Sequence, residues 1–183
     1  MSKFSIDPRL YILLTVLIFL VPLPWLAAWV AAVCFHELSH LLAVKLYGGK
    51  VCSFSLGLGG ANLECADLTD RAYLVSILAG PVGGLGLVLL GRWFPRLAIC
   101  SWLLSVYNLL PVLPLDGGQA MGILIKNACL FRVIERMSLF TISILALYIC
   151  FFWNLGPLPL IVAVSLWFKN RKRPCKGPQC GVQ

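Results

Sequence analysis

From Leu10 to Tyr47 the chain is an almost unbroken apolar run, interrupted only by Pro22-Leu23-Pro24. As helix, at ~1.5 Å per residue, this stretch measures roughly 57 Å, too long for one crossing of a ~30 Å hydrocarbon core and about right for two. Proline removes a backbone donor and clashes with the preceding turn, so the paired prolines mark the reversal. The remainder is just as apolar: 60% of the 183 residues are hydrophobic and 12% charged, with a mean hydropathy of +0.92. That is the composition of an all-α, multi-pass membrane protein, with no length left for a second, soluble domain. The net charge of +8 does not point to nucleic acid, because the basic residues flank apolar segments instead of forming a nucleic-acid-binding pattern.

About six transmembrane helices are expected. The first is short and ends before Pro22, and the second runs from Pro24 to Tyr47. Gly48 to Asp70 then changes character. Val51 to Leu58 alternates apolar with small polar residues before Gly59-Gly60, the period of a strand beside a turn, so a small membrane-associated β-hairpin is expected over about 50–66. Ala72 to Gly91 is a third pass, with Ala79-Gly80-Pro81 and Gly83-Gly84 allowing close helix packing. A fourth runs from about Leu97 into Asn108-Leu-Leu-Pro111-Val-Leu-Pro114-Leu-Asp116-Gly117-Gly118, where two prolines and a glycine pair stop a regular helix. Residues 119–137 mix apolar positions with Lys126, Arg132, Glu135 and Arg136, which suits a helix on the membrane surface. Leu139 to Phe168, interrupted at Asn154-Leu-Gly156-Pro157, reads as two short passes.

This layout makes 1–168 one polytopic domain followed by a basic cytoplasmic tail, 169–183. With both termini cytoplasmic, thirteen of the fifteen Lys and Arg residues lie inside and only Arg92 and Arg96 outside, as the positive-inside rule requires. A prokaryotic cell membrane is the expected location. The eight cysteines form no C-x-x-C pair, which argues against a zinc ribbon or a thioredoxin-type site. Cys175 and Cys180, in the tail, carry no assigned role.

Into this apolar setting the chain places its only two histidines, in His36-Glu37-Leu38-Ser39-His40. Helical residues four apart share a face, so both imidazoles can reach one Zn²⁺, with Glu37 as general base towards a water. Ionisable groups in an apolar segment are costly and mark function. Asp116 falls at the cytoplasmic end of the fourth pass, a depth similar to that of the histidine pair, and is the candidate third ligand. Gly117 and Gly118 then supply backbone freedom and close approach. Asn108 is a candidate for holding substrate or an oxyanion. Phe54, Leu56 and Leu58 alternate to one side of the hairpin, whose free edge is a candidate for strand addition by an extended substrate.

His36-Glu37-x-x-His40 on an early helix, Ala79-Gly80-Pro81 on the next and Asn108-x-x-Pro111-x-x-Pro114-Leu115-Asp116-Gly117 on the fourth resemble the site-2 protease family, over roughly residues 24–120. The first and third motifs are specific together, whereas Ala-Gly-Pro alone is weak. The resemblance implies a zinc-dependent intramembrane endopeptidase. It implies cleavage of membrane-associated or single-pass transmembrane proteins, often releasing a regulatory protein, with any regulatory membrane partner unidentified. The layout looks closest to the stage IV sporulation protein FB group, but without that group's CBS domain, and Val82-Gly83-Gly84 stands where relatives often carry an Asn. Two other readings are open. A pseudoprotease scaffold would have lost a ligand or the base, and none is lost here. A metal transporter would need ligands at several depths, whereas the polar residues here concentrate at one.

Overall fold

The computed structural model describes residues 3–6, 18, 21–57, 60–66, 68–125, 127–152 and 163–167. Within these, the chain forms strand β1 (Lys3–Ile6), helix α1 (Leu23–Leu46), strands β2 (Lys50–Gly57) and β3 (Gly60–Ala66), and helices α2 (Asp70–Val88), α3 (Pro95–Asn108), α4 (Asp116–Leu124) and α5 (Ala128–Phe152). It divides into two compact units, residues 1–108 with 181–183 and residues 109–180. The expected first pass, the reversal at Asn154 to Pro157 and the tail with Cys175 and Cys180 lie outside the described residues.

In the first unit each helix is bounded by its own chemistry. Pro22 and Pro24 open α1, where the missing N–H groups would have had no helical partner anyway. Gly48, at φ 75°, closes it, its N–H bonded to the Lys45 carbonyl at 3.1 Å and that of Gly49 to the Val44 carbonyl at 2.9 Å. This is a Schellman end, which needs a residue tolerant of left-handed backbone. Thr69 caps α2 by accepting from the Ala72 N–H at 3.4 Å, with Asp70 favourably placed in the first turn. Pro81 lies inside α2, and a 3₁₀ turn at Leu89–Arg92 follows the helix.

α1, α2 and α3 pack on one another. Their buried positions are mostly small: Ala32 and Ala43 on α1, Ala72, Gly80 and Gly84 on α2, Ala98, Ser101 and Ser105 on α3. Large apolar side chains such as Leu38, Leu42, Leu85, Trp93 and Trp102 face outward. Small residues inside and large apolar ones outside invert the soluble pattern and suit helices surrounded by lipid. Leu23–Leu46 and Asp70–Arg92 are long and apolar enough to cross a bilayer, and with only 28% of each buried they are not the enclosed core helices of a soluble protein. The chain reads as a membrane protein.

The hairpin expected over 50–66 is present, with Phe54 opposite Leu63 and Leu56 opposite Ala61, and a register shift between Val51 and Ser53. β1 pairs in parallel with β2, aligning Phe4 with Phe54 and Ile6 with Leu56, so β2 is the middle strand of three. Phe54 and Leu56 therefore sit on a strand paired on both sides, and Leu58 lies outside the described residues. The outer edge of the hairpin belongs to β3.

The second unit corrects another expectation. Residues 119–137 do not form one surface helix. α4 ends at Leu124, and Asn127 starts a new helix by accepting from the Cys129 and Leu130 N–H groups at 3.0 and 3.3 Å. That helix, α5, continues without a break through Leu139 to Phe152. Its face at Phe131, Glu135, Leu139 and Ala146 is buried, a stripe at spacing near four, while Arg132 and Arg136 are exposed. Residues 163–167 are helical, and the Trp167 indole N–H donates to the Ser143 hydroxyl at 3.1 Å, tying this last stretch to α5.

Candidate metal centre

His36 and His40 occupy successive turns of α1, His36 buried and His40 half-buried. Their rings meet edge to face at 86°, with centroids 4.7 Å apart and the two Nε2 atoms separated by 3.2 Å. The His40 tautomer follows from its other nitrogen: Nδ1 lies 2.8 Å from the Ser76 carbonyl on α2. A carbonyl only accepts, so Nδ1 carries the proton, and Nε2 is the nitrogen turned towards His36. On the other side, the amide Nδ2 of Asn108, at the end of α3, stands 3.4 Å from His36 Nε2.

Two imidazole nitrogens turned towards each other at this distance suit a shared cation. Two nitrogens bound to one tetrahedral zinc at about 2.0–2.1 Å stand about 3.3–3.4 Å apart, close to the separation seen here. Orientation of a ligating histidine by a carbonyl on its far nitrogen is the usual support for such a ligand. On these grounds the pair fits a metal ion.

The backbone of α2 makes room for this arrangement. A Cβ at Gly80 would overlap Nε2, Cε1 and Cδ2 of the His40 ring, so the imidazole lies flat against helix backbone where only glycine admits it. Pro81 beside it lacks an N–H and leaves the Ile77 carbonyl without its helical donor, which loosens the ladder next to Ser76. Gly83 and Gly84 likewise leave space for Ser39 and Ser105.

The site-2 protease from Methanocaldococcus jannaschii is similar in structure, with a TM-score of 0.65, 19% sequence identity, and coverage of 96% of this chain and 93% of that one. The chain has the site-2 protease fold. A protein of Synechocystis sp. assigned as a zinc metalloprotease is 32% identical over 120 residues, an alignment taking in 54% of this chain and 32% of the relative. The chain thus spans about a third of that relative's length. No family model matches the chain.

Within this site-2 protease fold the sequence-predicted residues fall as follows. His36, His40 and Asn108 come together in the first unit. Glu37 is half-buried beside His36 on α1. Asp116 is the first residue of α4, in the second unit. Gly117 and Gly118 serve close approach rather than backbone freedom: a Cβ at Gly117 would overlap the backbone of Leu109 and Leu110, and one at Gly118 the backbone of Val112 and Leu113. Sequence reasoning missed Ser76, which acts through its carbonyl, an atom every residue has. It also missed the specific use of Gly80, although Ala79-Gly80-Pro81 carried a weak signal.

Proposed function

We propose that this protein is an intramembrane zinc endopeptidase that hydrolyses peptide bonds of membrane-associated or single-pass transmembrane proteins and so releases a regulatory protein. His36, His40 and Asp116 are assigned as the three protein ligands of its zinc, each of a residue type that zinc accepts. The observation that carries the reading is the histidine pair, with facing Nε2 atoms 3.2 Å apart and one tautomer set by the Ser76 carbonyl. A zinc ion held there supplies Lewis acidity, making water a better acid and a carbonyl carbon a better electrophile.

The chain's own residues do the rest. Glu37, adjacent to His36, takes the proton from the attacking water and delivers it to the departing amine, so one carboxylate serves as base and then acid. Ser76 keeps His40 in the tautomer that binds metal. Asn108, beside His36, turns its amide to the carbonyl oxygen of the substrate as negative charge develops there. A substrate must be extended for its peptide bond to be reached, and the outer edge of β3, which pairs with no other strand among the described residues, is suited to this.

The same proposal includes six membrane passes with both termini cytoplasmic in a prokaryotic cell membrane, supported by the thirteen-to-two distribution of basic residues. Kinship to the stage IV sporulation protein FB group rests on the order and spacing of the motifs.

The test is zinc content and cleavage measured together on the detergent-purified chain, for wild type and Glu37→Gln, against a panel of tagged membrane substrates. One zinc per chain in both forms, with cleavage by wild type alone, is expected. Absence of zinc from both, with all three ligands intact, would overturn the proposal.

A further inference from the structure

Glu135 is an acidic residue that the mechanism leaves unused and that the fold buries. It is 6% exposed, in the buried stripe of α5 between Phe131 and Leu139, while its charged neighbours Arg132 and Arg136 face outward. A carboxyl group in such a stripe is costly unless a donor meets it. The donor is the backbone: the Leu113 N–H donates to Glu135 Oε1 at 3.0 Å.

Leu113 lies in the non-helical stretch between α3 and α4 that ends at Asp116. Pro111 and Pro114 have no N–H to offer there, and the remaining neighbours are satisfied locally, Val112 N–H on the Leu110 carbonyl at 2.8 Å and Leu115 N–H on the Val112 carbonyl at 2.9 Å. The Leu113 amide is the donor that leaves the turn. Leu110, Pro111, Ile134 and Met137 line a groove of about 350 Å³ between turn and helix. The hydrogen bond is a directional link from α5 to this turn. From Leu113 the constraint passes to Asp116 by contact. Gly118 lies against the Val112–Leu113 backbone, Gly117 against Leu109–Leu110, and the Gln119 side chain donates to the Pro114 carbonyl at 3.0 Å.

We propose that Glu135 is a positioning residue that pins the Leu109–Leu115 turn through the Leu113 amide and thereby sets Asp116 for metal binding. This rests on the reading of Asp116 as a ligand. What the turn needs from Glu135 is an acceptor oxygen, not a negative charge, and this separates the proposal from a catalytic or proton-carrying carboxylate. Gln keeps an acceptor at the same reach; Ala and Met do not, and Met keeps the volume.

The experiment uses the full chain in detergent. Wild type, Glu135→Gln, Glu135→Met and Glu135→Ala are compared by hydrogen exchange over residues 109–118 without added metal, and by zinc affinity in competition with a chelator. Expected are faster exchange at Leu113 and about ten- to hundredfold weaker zinc binding in Glu135→Met and Glu135→Ala, with Glu135→Gln near wild type in both. Leu113 protection and zinc affinity unchanged in Glu135→Met would overturn the pin. So would a folded Glu135→Gln that fails as badly as Glu135→Met, because charge would then be the requirement. If Glu135→Ala does not fold, Glu135→Gln and Glu135→Met still decide. Wild type without zinc would sink the metal reading alone, and Leu113 exchange would then decide the pin.

Discussion

A single methyl group at Gly80 tests whether the backbone of α2 decides how His40 stands. The added Cβ of Gly80→Ala would overlap three atoms of the imidazole ring, including the Nε2 that faces His36. The ring has little freedom to retreat, because Nδ1 is held at 2.8 Å by the Ser76 carbonyl. Restoring ordinary contact needs a displacement on the order of 1 Å. A shift of that size breaks the Ser76 bond, about 1 kcal/mol, on top of overpacking at about 1–3 kcal/mol. If the ring moves, this roughly 2–4 kcal/mol appears at the metal, where about 1.4 kcal/mol is tenfold in affinity. Zinc binding is therefore expected to weaken by about thirtyfold to several hundredfold. If the helices separate instead, the same cost appears as a lower Tm. Chelator competition and thermal unfolding on the same purified samples read both routes. Wild-type zinc affinity together with an unchanged Tm would refute the reasoning, since the methyl would then have found room without disturbing His40.

Two further outcomes follow from the same packing. The Ser105 hydroxyl is buried with no hydrogen-bond partner among the described residues and occupies the space a Cβ at Gly84 would take, so Ser105→Ala should be neutral or stabilising, Gly84→Ala destabilising by about 1–3 kcal/mol, and the double variant close to wild type; additive losses in a thermal double-mutant cycle would contradict this. Gly117→Ala would press on the Leu109 and Leu110 backbone, which cannot rotate away as a side chain can, so it should lose both stability and zinc, seen as a lower Tm and substoichiometric metal by elemental analysis.

Much of the candidate site was legible in the sequence because its signals are local. His36 and His40 are four apart on a helix, so helical geometry alone brings their rings to one face. Asn108 was singled out by its place in the Asn108-x-x-Pro111-x-x-Pro114-Leu115-Asp116 segment, and the structure sets it beside His36. The hairpin was legible for the same reason, period-two alternation next to paired glycines. Which strand is left with an open edge was not legible, because it depends on Lys3–Ile6 returning from far away in sequence to pair with Ser53–Leu56. Glu135 was misread for a related reason. Three charges in a five-residue window give a polar average, yet a helix face is set by spacing, and Glu135 falls on the same stripe as Phe131 and Leu139.

The sequence by itself determined the solvent and the chemistry. Apolar runs of spanning length select a bilayer, and two histidines one helical turn apart select a metal, because both depend on residue type and short-range periodicity. Tertiary structure decided what holds that chemistry in place. The Ser76 carbonyl on His40, the bare backbone at Gly80 beneath its ring and the Leu113 amide on Glu135 join residues 36, 40 and 22 positions apart. Each uses a main-chain group or a missing side chain. Such features leave almost no mark on residue identity, so they are settled only when helices distant in sequence come into contact.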